Sequence, residues 1–272
     1  MPLKMLFCGM NTGIFYWFGY RIPSKERFKL IADTGFKNTV LWWGDQFIDT
    51  DGPKEELPDL AREAGLFVEN MHTDFDHCNS LWADNQHGEE ILARYLNSAK
   101  DCKTYGIPAM VVHLSSGDEP PPPNKIGLER LKQITGEAEK GNIIVALENL
   151  RKTEYLDFAF ANIDSPNLKL CYDSGHENCF TKKGDVLDKF GGKLYCLHLH
   201  DNDGSGDQHT IPGNGSIEWQ TVIGKIKHSG FGGSVTLEAY NDFPQKYKNA
   251  GADTFLADAY RAARSIADKL EK

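Results

Sequence analysis

Eight short apolar runs alternate with longer amphipathic stretches along the chain. The runs are rich in Val, Ile, Leu and aromatic residues, as is typical of strands buried on both faces. They predict strands over 4–10, 37–44, 66–73, 109–116, 142–150, 168–175, 193–201 and 233–240. Strands that alternate with helices indicate a parallel sheet. Eight such units in one domain favour a closed α/β fold, the (β/α)₈ TIM barrel, over an open sheet.

The amphipathic stretches between the runs predict helices. The first, over 24–35, places Phe28, Leu30 and Ile31 on one face and ends at Gly35. Six more are predicted over 89–105, 125–140, 153–161, 183–190, 217–228 and 252–270. The proline run within 119–124 is interpreted as a stiff loop after the fourth strand, not as a linker. Residues 1–272 are therefore predicted to form a single barrel domain.

Six of the runs close on a residue type that can bind a metal ion. The carboxyl ends of barrel strands meet at one face, so these side chains are expected to converge there. The residues at or just after the run ends are His72, His113, Glu148, Asp173, His176, His198, His200 and Glu238.

Four of these residues are predicted to share one divalent ion. Glu148 and Glu238 each stand in an otherwise apolar run, where burying an unpaired carboxylate is costly unless a cation compensates. Asp173 and His198 end neighbouring strands. A mixed set of Glu, Asp and His without cysteine suits Mn²⁺, Zn²⁺, Co²⁺, Fe²⁺ or Mg²⁺.

The seventh run leaves a choice of ligand. His198 and His200 leave the same face of the strand, so either could bind the ion. His198 is preferred because it stands three residues before Asp201. The following loop carries Asp207 and His209, which bring two more ligand types over the barrel mouth.

Charge and cysteine content narrow the range of partners. A net charge of −9 argues against a broad electrostatic grip on nucleic acid or anionic membrane. No run approaches the ~18 apolar residues of a membrane span.

The six cysteines form no CxxC pair, and Cys171 and Cys196 fall inside predicted strands. They are interpreted as reduced thiols of a cytoplasmic protein.

Aromatic residues gather near the predicted strand ends, where a sugar or polyol could lay its C–H faces on them. Trp43 and Phe75 are the candidates for such substrate contacts.

Five motifs after residue 145 resemble the xylose-isomerase-like barrel superfamily. They read ALEN, YDSGH, HLHDND, DQHTIPGNGSIEW and TLEAY. The superfamily includes sugar (phosphate) isomerases and epimerases and the class II AP endonucleases. The resemblance to the epimerases implies one ion held by Glu148, Asp173, His198 and Glu238, with His176 in contact with the substrate.

The resemblance to the AP endonucleases implies a site with three ions. One ion would lie between His72, His113 and Glu148, and Glu148 would bridge to the second, held by the four residues already described. His176, Asp207 and His209 would hold the third. The loops that touch DNA in those enzymes are acidic here, with Asp45, Asp49, Asp51, Asp74 and Asp76. The epimerases, for their part, carry an Arg after the metal-binding His, and no Arg occurs here between Arg151 and Arg261.

These expectations favour a divalent-metal-dependent isomerase or epimerase of a sugar, keto-sugar or related polyol in carbohydrate metabolism. Glu148 and Glu238 would remove and return a proton through an enediolate, and His176 and His200 would bind substrate hydroxyls. The alternatives are a trinuclear phosphodiesterase of the AP endonuclease type and a non-catalytic, metal-bound barrel subunit. Dehydratase chemistry on the same enediolate, and a homo-oligomeric state, are left open.

Overall fold

A sheet of parallel strands needs a helix to carry the chain back between consecutive strands. The computed structural model describes residues 9–181 and 184–272 and has this alternation throughout. Its strands are β1 (Thr12–Phe15), β2 (Asn38–Trp43), β3 (Phe67–Thr73), β4 (Ala109–Val112), β5 (Ile144–Glu148), β6 (Leu168–Asp173), β7 (Leu194–His198) and β8 (Val235–Leu237).

The strands close into a barrel. From β1 to β7 each strand pairs in parallel with the next, and β1 also pairs with β8. Leu199, just past β7, joins the remaining edges: its N–H donates to the carbonyl oxygen of Thr236 at 2.9 Å. Its own carbonyl oxygen accepts from the Glu238 N–H at 3.1 Å. The predicted (β/α)₈ barrel is confirmed.

One helix follows each strand on the outside of the barrel. They are α1 (Ser24–Thr34), α2 (Leu57–Glu63), α3 (Gln86–Tyr105), α4 (Lys125–Lys140), α5 (Glu154–Asn162), α6 (Val186–Phe190), α7 (Trp219–His228) and α8 (Ala252–Glu271). Shorter helical turns lie at Ile48–Asp51, Lys54–Glu56, Cys78–Trp82, Ser174–His176, Glu177–Thr181, Gly191–Lys193 and Gln245–Lys248.

The first strand is not where the hydrophobic pattern predicted it. The predicted run 4–10 lies mostly outside the described residues, and residues 9 and 10 are not in a strand. The strand between β2 and β8 is the segment TGIF, directly after the predicted run. Glycine suits position 13 because a Cβ there would approach Thr236 Oγ1 to 2.6 Å and Asn38 Cβ to 3.1 Å.

The helix α2 was also not predicted. It is only seven residues long and begins with Leu57 and Pro58, in a stretch that already contains Pro53. Proline is tolerated in the first turn of a helix, where its missing N–H would have no partner. Leu57 and Ala61 are fully buried, so packing on the barrel compensates for the short length.

Asparagine side chains fix two helix starts next to the barrel mouth. Asn85 accepts a hydrogen bond from the Gly88 N–H at the start of α3. Asn124 accepts from the N–H groups of Ile126 and Gly127 and so ends the proline run at the first residue of α4. The run is therefore part of the loop after β4, as predicted.

The barrel strands are buried almost throughout. Among the described residues, no helix is long and apolar enough to span a membrane. Cys171 and Cys196 lie in β6 and β7, as predicted. Five cysteines are free thiols, and Cys8 lies outside the described residues. Glu148, Asp173 and His198 are the last residues of their strands, and Glu238 directly follows β8. The fold thus places these four side chains at one end of the barrel.

Candidate metal centre and substrate cavity

Glu148, Asp173, His198 and Glu238 meet at the carboxyl end of the barrel. Each offers a ligand atom within 4.8 Å of the ligand atoms of the other three. His198 Nδ1 lies 3.3 Å from Glu148 Oε1 and 2.9 Å from Glu238 Oε2. All four side chains are buried. The structure therefore brings together the four residues that the sequence nominated for one ion.

The atoms in this group fit a divalent cation. Asp173 Oδ2 and His198 Nε2 are buried without a hydrogen-bond partner among the described residues. No lysine or arginine in the described ranges pairs with the three carboxylates, whose ionic partners are all histidines. Several buried carboxylates without a fixed cation are costly. An oxygen-rich set with one imidazole suits Mn²⁺, Zn²⁺, Co²⁺, Fe²⁺ or Mg²⁺.

The two glutamates of this group stay ionised. Burial alone would raise the pKa of Glu148, but the charges and hydrogen bonds of His198 and His113 hold it well below its ordinary value. Burial would likewise raise the pKa of Glu238, but the charge of His198 outweighs it and lowers that pKa to about 2. Metal ligands must be deprotonated, so both carboxylates are in the form that binds a cation.

His72 and His113 face the other oxygen of Glu148. The Nε2 atom of His113 lies 2.8 Å from Glu148 Oε2, and the Nε2 atom of His72 lies 3.1 Å from it. Burial lowers the pKa of His113 despite the nearby Glu148 charge. A neutral imidazole is the form that binds a metal. His72, Glu148 and His198 also meet as a group of three ligand atoms.

A further group consists of His176, His200, Asp207 and His209. Asp207 is its centre: Oδ2 lies 3.2 Å from His176 Nε2, and Oδ1 lies 3.3 Å from His209 Nε2. Burial would lower the pKa of His176, but the Asp173 charge and the Asp207 hydrogen bond raise it to about 10. The Asp207 hydrogen bond likewise overcomes burial and raises the pKa of His209 to about 9.

His198 and His200 separate into different groups. His198 joins the four-residue group, whereas His200 Nε2 lies 3.0 Å from Asp173 Oδ1 and its ring stacks on His209 at 3.9 Å between centroids. Asp201, which guided the choice between them, has no part in either group. Its carboxylate accepts from Trp219 Nε1 at 2.8 Å and from the Gly213 N–H at 2.9 Å. It therefore anchors the loop that carries Asp207 and His209.

Asn149 ties two of the ligand strands together and was not nominated from the sequence. Its Oδ1 accepts from the Asp173 N–H at 2.7 Å, and its Nδ2 donates to the Asp173 carbonyl oxygen at 2.8 Å. Its own carbonyl oxygen lies 3.1 Å from His176 Nδ1. The signal was its place directly after Glu148 in ALEN.

A cavity of about 360 Å³ opens beside these groups. His72, His113, Asp207 and His209 all line it, as does Glu238. Its remaining lining is largely aromatic: Phe15, Trp17, Trp42, Phe47, Phe75 and Tyr240, with Gln46 and His176. Apolar walls with a few convergent polar groups are typical of small-molecule sites.

Trp43, which was predicted to contact substrate, does not line this cavity, whereas its neighbour Trp42 does. Successive strand residues point to opposite faces of a sheet. Trp42 stacks on His72 at 5.3 Å between ring centroids. Trp43 faces the helices, where its Nε1 donates to Asp101 Oδ2 of α3 at 2.8 Å. Phe75 lies on the cavity, stacked on His113 at 4.3 Å.

The acidic character of the mouth is weaker than the sequence suggests, because Asp51 is buried. It pairs with Arg27 at 3.1 Å and accepts from the Tyr16 hydroxyl at 2.7 Å. Asp74 lies 3.7 Å from the guanidinium of Arg94. Of the five acids that the sequence singled out, Asp45, Asp49 and Asp76 are exposed, and Asp45 pairs with Lys54.

Comparison with known proteins identifies the family. The family model described as xylose isomerase-like TIM barrel matches residues 28–259. The chain belongs to this family. It is 24% identical over 271 residues to fructoselysine 3-epimerase of Escherichia coli O157:H7, which covers 91% of this chain and 98% of that protein.

Two solved structures show the same fold. D-psicose 3-epimerase from Clostridium cellulolyticum H10, solved with D-tagatose, has a TM-score of 0.76 at 18% identity and covers 96% of this chain and 99% of its own. The IOLI protein with a bound zinc atom has a TM-score of 0.78 at 17% identity, with the same 96% and 99% coverage.

Proposed function

We propose that this chain is a divalent-metal-dependent isomerase or epimerase of a sugar, keto-sugar or related polyol. The observation that carries the proposal is the convergence of Glu148, Asp173, His198 and Glu238 within 4.8 Å beside an aromatic-walled cavity. The similarity to fructoselysine 3-epimerase, a sugar epimerase by name, supports the same class of reaction.

The two glutamates would move the proton. Glu148 ends β5 and Glu238 follows β8, three strands farther round the barrel, so they approach the centre from different sides. Both are ionised and can each accept a proton from the carbon next to a substrate carbonyl. Inversion of that carbon would require the other glutamate to take up a proton from solvent and deliver it to the opposite face, while the first glutamate releases the abstracted proton to solvent. Return of the abstracted proton to the neighbouring carbon would instead isomerise the sugar.

A divalent ion bound by Glu148, Asp173, His198 and Glu238 would polarise the carbonyl and a neighbouring hydroxyl and stabilise the charge that develops when the proton leaves. The side chains of His176 and His209 line the cavity and can hydrogen-bond substrate hydroxyls. Trp42 and Phe75 offer ring faces to the C–H groups of the sugar and exclude water.

A second candidate function is a three-metal phosphodiesterase. Its support is that His72 and His113 converge on Glu148, while His176, Asp207 and His209 form a separate group. These are the residues that a three-ion site would need. The acidic loop residues Asp45, Asp49 and Asp76 weigh against it, because each would repel a DNA phosphate.

The metal count separates the two candidates. Protein purified without added metal would be analysed for metal per chain and then incubated with a panel of free ketoses and with an abasic-site duplex. One ion per chain with epimerisation of a ketose supports the proposal. Three ions with strand incision, and no change in any ketose, would contradict it.

A further inference from the structure

A small side cavity of about 120 Å³ adjoins the substrate cavity. The two spaces have lining residues in common, among them Phe75, His113, His176 and Asp207. The side cavity adds Ser115, Ser116 and Arg151 to its own lining. It therefore extends the substrate cavity past His176, toward the loops that follow β4 and β5.

Arg151 is the only lysine or arginine that lines either cavity in the described part of the chain. Its guanidinium lies over Phe180, with Cζ 3.6 Å from the ring centroid. The ring of Phe180 in turn stacks on His176 at 5.4 Å between centroids. A cation over an aromatic face is attracted to it, so the stack favours this position of the charge beside the cavity.

Most of the hydrogen-bonding capacity of this guanidinium is unused. Its Nε lies 2.9 Å from Oδ1 of Asp118, whose side chain is 91% exposed. Among the described residues, no other hydrogen bond or ion pair involves the Arg151 side chain. A guanidinium has five N–H donors, so both terminal nitrogens keep donors for a ligand.

We propose that Arg151 and the side cavity bind a terminal carboxylate of the substrate, which makes the substrate a keto-sugar acid. This inference rests on the proposed function, because the carbonyl end of the same molecule would lie at Glu238. The parallel N–H groups of arginine match the two oxygens of a carboxylate. The hydroxyls of Ser115 and Ser116 can complete the shell of that anion.

The charges around the side cavity favour a carboxylate over a phosphate. Asp207 lines the same cavity as Arg151, and Asp118 pairs with Arg151. Because these two carboxylates repel anions, a carboxylate monoanion would meet less repulsion here than a phosphate dianion.

Three keto-sugars that differ only at the carbon farthest from the carbonyl test the proposal: D-fructose, D-fructuronate and D-fructose 6-phosphate. Their dissociation constants would be measured by calorimetry on the metal-loaded full chain. We expect D-fructuronate to bind about tenfold to a hundredfold more tightly than D-fructose, the usual gain from a hydrogen-bonded charge. Tighter binding of D-fructose 6-phosphate than of D-fructuronate would overturn the carboxylate assignment.

Two variants distinguish ligand binding from a structural contact. Arg151→Met and Asp118→Asn both remove the ion pair between these residues. The preference is the dissociation constant of D-fructose divided by that of D-fructuronate. If Arg151 binds the ligand, Arg151→Met brings this ratio close to one, whereas Asp118→Asn preserves or increases it. Arg151→Lys should retain part of the preference. An equal loss of preference in Arg151→Met and Asp118→Asn would mean that the pair only holds the loops together, and would overturn the proposal.

Failure here is distinguishable from failure of the proposed function. Epimerisation of D-fructose with no preference for D-fructuronate would overturn the carboxylate subsite and leave the isomerase proposal standing. A preference that depends on Arg151, without turnover of any keto-sugar, would support the subsite and contradict the isomerase proposal.

Discussion

Glu238 Oε2 lies 2.9 Å from His198 Nδ1, and this contact joins the last ligand strand of the barrel to the one before it. The same histidine nitrogen reaches Glu148 Oε1 at 3.3 Å. His198 is thus the point where the two proposed proton-transfer groups meet. Leu199 and Leu237, the neighbours of His198 and Glu238 in sequence, form the bridge that closes the barrel. The contact that closes the barrel therefore also holds His198 beside Glu238.

Replacing Glu238 with Gln should abolish most turnover while the barrel stays folded. The substitution keeps the shape of the side chain but removes a proton acceptor, a loss of about 10²–10⁴ in rate. It also removes a negative charge from the metal ligands, so metal affinity should fall. Turnover with a ketose and titration with Mn²⁺ would measure both effects. Full activity in this variant would contradict the role given to Glu238.

Asn149→Ala should weaken metal binding although Asn149 is not a ligand. The side chain makes two hydrogen bonds to the backbone of Asp173, so its loss frees the end of β6. Loss of groups that orient metal ligands typically costs about tenfold to a hundredfold in affinity. Asn149→Asp keeps the acceptor and loses the donor, so its affinity should be intermediate. Unchanged affinity in Asn149→Ala would show that the strand end is held by other contacts.

The buried pair Arg27–Asp51 should matter for stability more than for chemistry. Both side chains are almost fully buried, and burial together with the Asp51 charge raises the pKa of Tyr16 well above its ordinary value. Asp51→Asn leaves the Arg27 charge uncompensated and should lower the free energy of unfolding by about 3–5 kcal/mol. Urea unfolding would measure this loss.

A matched control lies on α1, the helix that also carries Arg27. Asp33 pairs with Lys29 at an exposed position, where an ion pair is worth about 0–1 kcal/mol. Asp33→Asn should therefore change the unfolding free energy little. The double variant Arg27→Met with Asp51→Leu should regain part of the stability lost in Asp51→Asn. Equal effects of Asp33→Asn and Asp51→Asn would contradict the burial argument.

The protein should not incise an abasic-site duplex at a useful rate, even at low salt. Asp45, Asp49 and Asp76 are exposed on the loops after β2 and β3, and like charges penalise contacts with phosphates. Incubation of the metal-loaded protein with such a duplex, followed by gel analysis, checks this. Rapid incision would favour the phosphodiesterase.

The sequence predicted the barrel and the convergence of its strand-end residues well where one physical rule applied to each strand separately. Carboxyl ends of parallel strands meet, so Glu148, Asp173 and His198 could be nominated without knowing any long-range contact. Their convergence is observed, and their role as metal ligands stays a prediction. The apolar runs likewise located seven strands.

The misses depend on contacts between distant residues. In β1, Gly13 lies against Asn38 and Thr236, and hydropathy does not register such a close approach. Asp51 looks like a solvated loop acid until Arg27, which is 24 residues away, is brought against it. Trp42 and Trp43 point to opposite faces of β2, one toward the cavity and one toward the helices. The sequence alone did not determine which of the two faces the cavity.

The most direct test of the proposed chemistry is hydrogen exchange between substrate and solvent. A ketose would be incubated in D₂O with the metal-loaded protein and followed by proton NMR at the carbons next to the carbonyl. We expect deuterium to be incorporated at such a carbon. This incorporation should disappear after chelation of the metal and should fall strongly in Glu238→Gln. Isomerisation or epimerisation with no deuterium incorporated, or exchange that is unchanged in Glu238→Gln, would contradict the proposed chemistry.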